Sequence, residues 1–262
     1  MRIARFQMSG GKIGYGVVRG ETIHPICGGV FGKWEETGEG LPLGGVRLLA
    51  PVVPVNIVAI GRNYREHAKE NNADVPQAPI VFLKPTSALN DPGAPILLPR
   101  MAPSQVDYEA ELAVVIGKTA KRVPEKKALE YVLGYACGHD VSARDCQFAD
   151  AQWARGKSFD TFAPMGPWIE TELDPTSCDV VGRLNGQIMQ QSNTRELIFP
   201  VAALVSYLSE CMTLQPGTVI LTGTPAGCGF ARQPPVWLKE GDVFEVEIGG
   251  IGTLRNPVAL ER

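Results

Sequence analysis

Three acids stand at alternate positions in Val106-Asp-Tyr-Glu-Ala-Glu-Leu-Ala-Val-Val-Ile116. On a strand, neighbouring side chains point to opposite faces and residues two apart are about 6.6–7 Å apart. Asp107, Glu109 and Glu111 then share one face, and Tyr108, Ala110 and Leu112 the other. The run is otherwise apolar enough to be core. Like charges on a buried surface raise one another's pKa and resist ionisation. A divalent cation removes that penalty, and carboxylate oxygens are the donors that Mg²⁺, Mn²⁺ and Ca²⁺ prefer. Spacing alone leaves a second reading open, an edge strand whose acids face solvent.

A third hard ligand is available in Gly138-His-Asp-Val-Ser-Ala-Arg-Asp-Cys-Gln147, where Asp140 follows an apolar stretch, Val132 to Cys137. His139 beside it hints at zinc, but no second His or Cys lies at ligand spacing. Elsewhere His67 and Glu70 stand at i and i+3, on one face if that segment is helical. A carboxylate beside an imidazole fixes its tautomer and raises its basicity, as general-base catalysis requires. Such pairs also occur on ordinary surface helices. Arg155-Gly-Lys-Ser-Phe-Asp-Thr161 holds a lone Lys157, and Leu221-Thr-Gly-Thr-Pro-Ala-Gly-Cys-Gly229 follows an apolar strand. Neither is a phosphate-binding loop or a dinucleotide fingerprint, and spacing favours structural turns for both.

These residues need a scaffold. The first fifty residues read as a small β unit, with strands at Arg2–Phe6, Ile13–Val18 and Glu21–Ile26 and a link over Val46–Pro54. The main domain, residues 51–262, opens with an apolar strand, Val55–Ile60. A nearly all-polar helix over Arg62–Asn72 follows, with Asn63 and Glu66 at capping-box spacing. With no apolar stripe it is marginal alone, and it reads as a solvated surface helix or as a lid that orders over a ligand. Further strands are expected at Ile80–Leu83, Asp107–Ile116, Trp168–Ile169, Asp179–Leu184, Val219–Thr222 and Val243–Ile248. Helices are expected at Pro124–Leu133 and Val201–Met212, the second with a core-facing stripe. The pattern predicts a mainly β or α+β fold, with no internal repeat and no doubly wound alternation.

Composition narrows the classes. The net charge of −3 shows no basic excess for nucleic acid. Hydrophobic content of 44% and charged content of 20% suit a chain with a sizeable core. With 29 glycines and 21 prolines in 262 residues, turns are frequent. No apolar run reaches the ~18–20 residues that span a bilayer, and the six cysteines contain no C-x-x-C. A reduced, cytoplasmic protein with neither membrane nor nucleic-acid partner is expected.

The ordered set of segments resembles the fumarylacetoacetate hydrolase family. It comprises Gly61-Arg-Asn-Tyr-Arg-Glu-His-Ala-Lys-Glu70, Phe82-Leu-Lys-Pro85, Tyr108-Glu-Ala-Glu-Leu112, Asp140 to Gln147, Gly156-Lys-Ser-Phe-Asp-Thr161, Leu184-Asn-Gly186, Thr222-Gly-Thr-Pro225 and Gly241-Asp242. It covers about residues 46–260. The resemblance implies a mixed β-roll core behind a small N-terminal β domain, usually a homodimer, with one Mg²⁺ or Mn²⁺ (sometimes Ca²⁺) per site. It assigns Glu109, Glu111 and Asp140 to the metal, His67 and Glu70 to a dyad on a lid helix, and Lys157 and Gln147 to the substrate's surroundings. Thr224 matches a position near the substrate carboxylate, with Arg62 and Arg144 as further contacts; Asp107 receives no role.

The implied chemistry is cleavage of the C–C bond of acylpyruvates (2,4-dioxo acids) to pyruvate and a carboxylic acid through a metal-stabilised enolate. Decarboxylation of oxaloacetate or another 2-oxo acid, and isomerisation in aromatic catabolism, share nearly all these residues. A non-catalytic binder of 2-oxo acids is the alternative of another class. The stretch 71–78 after the dyad carries no readable substrate code.

Overall fold

The computed structural model describes residues 1–70 and 72–262. Its backbone is organised around one large mixed sheet, thirteen strands among the described residues. Along the main path the order is Trp34–Glu36, Thr22–Gly28, Ile13–Arg19, Arg2–Gln7, Ala163–Glu170, Val132–His139, Ala110–Ile116, Thr218–Leu221, Asn56–Gly61 and Ile80–Lys84. Thr218–Leu221 runs parallel to Asn56–Gly61, while Ala110–Ile116 is antiparallel to both its neighbours. A five-stranded sheet includes Val243–Ile248, Asp179–Leu184 and Gly252–Leu260. It closes over the first through Phe244, whose ring stacks on Tyr108 at 4.7 Å and His139 at 4.5 Å. This is the β-rich, mixed fold expected. The N-terminal strands extend the large sheet, because Ile3 pairs with Ile169, yet Ala4, Phe6, Val18 and Ile23 bury a small cluster of their own.

Ala110–Ile116 is buried along its whole length. Paired on both sides, it is a central strand, so the acids beside it do not face solvent on an edge. Its continuous apolar run, Leu112–Ile116, with no alternation, is what burial on both faces demands. Most expected strands, and the helix expected over Val201–Met212 as Val201–Cys211, are present with small changes of boundary, whereas Trp168–Ile169 is the end of a longer strand, Ala163–Glu170.

Several local expectations need correction. The strand expected over Asp107–Ile116 is two pieces, Val106–Asp107 and Ala110–Ile116, so Asp107 leaves the row of acids. Arg47–Leu49, inside the expected link, pairs with the first strand. Pro124–Leu133 contains a 3₁₀ helix, Glu125–Tyr131, rather than an α-helix. The polar helix is only Arg65–Glu70. Arg62 cannot belong to it, because its φ is 53°, in the left-handed region. The helix expected over residues 62–72 and the uncoded stretch 71–78 both include residue 71, which lies outside the described residues. Asn63 does not cap the helix. Its side-chain amide donates to the carbonyls of Phe199 and Thr222, and its oxygen accepts from the Phe199 amide. The helix is therefore docked, with His67 and Ala68 buried, rather than a solvated surface element. Among the described residues no helix is long and apolar enough to cross a membrane.

Candidate active site

Strand pairing brings the three acids together. Ala110 sits opposite His139, and the Asp140 amide donates to the Glu109 carbonyl at 3.0 Å. The end of the central strand and the residue after its neighbour thus meet at one point. Ligand oxygens of Glu109, Glu111 and Asp140 lie within 4.8 Å of one another, and all three residues are buried.

Lys157 bridges two of these acids, with Nζ 2.7 Å from Glu109 Oε2 and 2.8 Å from Asp140 Oδ2. It comes from the short helix Ala154–Lys157, which presses on Arg144–Ala149. A Cβ on Gly156 would lie 2.8 Å from both the Ala143 carbonyl oxygen and the Gln147 amide, so only glycine permits that approach. Lys84 Nζ reaches the other oxygen of Asp140 at 2.6 Å. Arg144 donates to Glu109 at 2.6 Å, Asp107 at 2.8 Å and Gln147 at 2.7 Å.

Charge now decides what the cluster needs. Asp107, Glu109, Glu111 and Asp140 are buried with Lys84, Arg144 and Lys157, four carboxylates against three cations. Burial disfavours ionised Glu109, but Lys157 and Arg144 outweigh it and hold that carboxyl well below its usual range. Lys157 is likewise raised despite burial, by Asp140 and Glu109. Glu111 is the exception. Among the described residues its side chain receives one hydrogen bond, from the Gly223 amide at 2.7 Å, and no ion pair. Burial pushes it well above the ordinary carboxylate range, and Asp140 and Glu109 push it further. One buried negative charge therefore awaits a proton or a cation. An all-oxygen set of three carboxylates fits a hard divalent ion.

His67 faces the same pocket from the helix Arg65–Glu70, with Glu70 behind it. Nδ1 of His67 is 2.7 Å from Glu70 Oε1, and the Gly227 amide holds Glu70 Oε2 at 2.9 Å. An ionised Glu70 can only accept, so Nδ1 carries the imidazole proton and the lone pair lies on Nε2. The pocket is lined by His67, Glu109, Glu111, Asp140, Arg144, Gln147, Lys157, Arg62 and Thr224, that is, by nine of the ten residues singled out from the sequence; Ile60, Phe82, Phe148 and Trp153 form its apolar wall. Glu70, the tenth, stands behind His67. The Arg62 guanidinium lies 5.7 Å from the centre of the Trp153 ring. Thr224 differs from expectation in one respect. Its hydroxyl donates to the Ala110 carbonyl and accepts from Gln190, so its proton is engaged by the scaffold.

Besides Lys84, two residues that hold this arrangement were not assigned roles from the sequence. Asp107 accepts from Arg144, from its neighbour Tyr108 and from the amides of Gly229 and Phe230. Gln190 accepts from the Ala110 amide and donates to Thr224 and the Pro225 carbonyl. Together they tie the loop 222–230 to the strand of acids. Each is a buried polar group, and such groups need several partners.

A family model described as "Fumarylacetoacetate (FAA) hydrolase C-terminal" matches residues 56–259. The chain belongs to the fumarylacetoacetate hydrolase family. Residues 1–51 match a second model, "Rv2993c-like, N-terminal", which places the chain in that branch of the family. Protein Rv2993c of Mycobacterium tuberculosis is 43% identical over 268 residues, covering 98% of each chain. Oxaloacetate tautomerase fahd2, mitochondrial, of Xenopus laevis is 46% identical over 219 residues, covering 81% of this chain and 68% of that one. The crystal structure of 2-hydroxyhepta-2,4-diene-1,7-dioate isomerase from Mycobacterium marinum superposes with a TM-score of 0.90 at 41% identity, covering 100% of this chain and 99% of that one. This chain is thus similar to enzymes named for isomerisation and tautomerisation.

Proposed function

We propose that the protein is a divalent-metal-dependent enzyme that moves a proton at C3 of a 2-oxo acid, interconverting enol and keto forms. The observation that carries this reading is His67, paired with Glu70 at 2.7 Å and lining the same pocket as Glu109, Glu111 and Asp140. The names of its relatives support tautomerisation or isomerisation over the hydrolysis expected from the sequence.

Glu109, Glu111 and Asp140 would hold the cation, with Mg²⁺ or Mn²⁺ the fitting choice and Ca²⁺ possible by donor type. When bound, such an ion supplies Lewis-acid stabilisation of negative charge on the 2-oxo oxygen. The chain's own residues do the rest. Nε2 of His67 takes or returns the C3 proton, while Glu70 fixes the tautomer and stabilises the imidazolium that forms. Lys157, held protonated between Glu109 and Asp140, places positive charge beside the developing anion. Gln147 and Asp107 lock Arg144 in one orientation, and Arg144 and Arg62 offer guanidinium groups to substrate carboxylates.

A second reading is cleavage of acylpyruvates. The same dyad favours it, because a base oriented by Glu70 can equally deprotonate water for attack at the 4-oxo carbon. Oxaloacetate and acetylpyruvate, each followed by NMR with Mg²⁺ present, separate the two. Accelerated conversion of enol-oxaloacetate to the keto form, with acetylpyruvate intact, supports the tautomerase. Release of pyruvate and acetate supports the hydrolase. His67→Ala should lower either rate ~10²–10⁴-fold; an undiminished rate would refute the role given to the dyad. A functional unit that pairs two copies of the chain is also proposed, to be read from the mass in solution.

A further inference from the structure

Against the dyad lies a thiol that the reaction does not use. Cys228 Sγ is 3.8 Å from His67 Nδ1, and Nδ1 is 2.7 Å from Glu70 Oε1. These three donor atoms all lie within 4.8 Å of one another. They differ in kind from the three carboxylates: a nitrogen, a sulfur and one oxygen. That mixture suits a borderline-soft ion such as Zn²⁺ and suits Mg²⁺ poorly. Zinc bonds of about 2.0–2.1 Å to N and O and about 2.3 Å to S set tetrahedral donor separations near 3.3–3.6 Å. Nδ1 and Sγ already stand close to that spacing, and Glu70 must swing out by roughly half an ångström.

Two simpler roles for Cys228 fail. It is fully buried, and burial together with Glu109 and Asp107 pushes its thiol well above the usual value, so it is no nucleophile. Nor does it anchor the loop alone, since Gln190 and Asp107 already do so.

We propose that His67, Glu70 and Cys228 form a second, inhibitory site for a thiophilic divalent cation of the zinc class, separate from the carboxylate centre. Binding releases the thiol proton to solvent and forms bonds from the ion to Sγ, to Nδ1 and to Glu70 Oε1. Nδ1 gives up its proton to solvent as it becomes a ligand, and Nε2 takes one up from solvent, so the ring stays neutral. A neutral imidazole coordinated through Nδ1 carries its proton on Nε2. The nitrogen that acts as base becomes an N–H donor, and turnover stops although the carboxylate centre is untouched. The inhibitory consequence rests on the base role proposed for His67; occupancy of the site does not.

The test separates the two. Co²⁺ is titrated into Mg²⁺-loaded protein while the near-ultraviolet thiolate-to-cobalt charge-transfer band is recorded, for the wild type, Cys228→Ala and the closely isosteric Cys228→Ser. A band in the wild type that both variants lack establishes the site, whatever the substrate proves to be. Zn²⁺ inhibition of the Mg²⁺-loaded enzyme should weaken at least ~10-fold in both variants, the minimum expected when a metal loses a supporting group. No wild-type band, or a band that survives in both variants, overturns the site. A band without zinc inhibition in an active enzyme overturns the tautomer switch. Equal inhibition of all three proteins assigns zinc to the carboxylate centre and overturns the inhibitory role.

Discussion

At the residue scale, the three acids of the metal centre are not equivalent, and substitution should reveal it. Glu109 is bonded to both Lys157 and Arg144, so Glu109→Gln leaves two buried cations short of a partner. Breaking a buried pair in this way typically costs about 3–5 kcal/mol, and thermal unfolding of the metal-free variant should show it. Glu111 has no cationic partner among the described residues, so Glu111→Gln removes an uncompensated charge while keeping the shape. Without metal, Glu111→Gln should melt at or above the wild-type temperature, yet lose the stabilisation that Mg²⁺ or Mn²⁺ gives. A metal-free Glu111→Gln protein as damaged as Glu109→Gln would contradict the charge balance drawn for the cluster. The types and spacing of these acids were legible in the sequence. The inequality between them was not, because it depends on Lys84, Arg144 and Lys157, which arrive from three other segments.

At the element scale, the loop after Thr218–Leu221 matters as much as the helix Arg65–Glu70 that carries the dyad. Gly223, with a φ of 99°, turns its amide onto Glu111; Gly227 turns its amide onto Glu70; Gly229 and Phe230 bind Asp107. One loop thereby touches the metal acids, the dyad and the residue that fixes Arg144. Gln190→Leu strands the Ala110 amide and the Pro225 carbonyl at the loop's root. Each unsatisfied buried group costs about 1–3 kcal/mol, so urea unfolding should show a loss of at least that size. A change within ~0.5 kcal/mol, as at an ordinary surface site, would remove Gln190 from this role. Asp107→Asn should keep the fold but lower kcat/KM ~10-fold or more, because Arg144 loses a charged anchor. Full activity in that variant would show that Glu109 and Gln147 suffice to orient it. The helix expected from polar residues around the dyad exists, but shorter. Its docking was hidden because Asn63 bonds to Phe199 and Thr222, residues more than 130 positions away. Spacing favoured plain turns for the Lys157 segment and for the Gly-rich Leu221–Gly229, since glycines in a sequence do not say where their amides point.

At the scale of the whole molecule, two packed sheets bury the interior, and the cysteines report on the packing. Cys27 and Cys211 are exposed, while Cys137, Cys146, Cys178 and Cys228 are buried and no disulfide links them. Burial pushes the Cys137 thiol up to about 12, leaving it protonated at pH 8. A thiol reagent at pH 8 should find two fast-reacting groups in the native protein and the other four only on unfolding. Four or more fast groups would mean that the sheets open readily. The β-rich architecture was legible from short apolar runs punctuated by Gly and Pro. The closure of one sheet over the other was not, since it is set by Phe244 stacking on Tyr108 and His139, residues over 100 positions apart. Bound metal should also stabilise the whole molecule, by about 2.7 kcal/mol at a hundred times its dissociation constant, with EDTA reversing the gain.

The most direct test of the central claim, that the buried acids and the dyad form one proton-transfer centre, is the rate at which enol-oxaloacetate becomes keto-oxaloacetate, followed by ultraviolet absorbance. It is measured for the wild type with Mg²⁺, for the wild type after EDTA, and for His67→Ala with Mg²⁺. The account predicts acceleration over the protein-free reaction that EDTA abolishes and His67→Ala reduces ~10²–10⁴-fold. Acceleration that persists in both the chelated protein and the variant would contradict it.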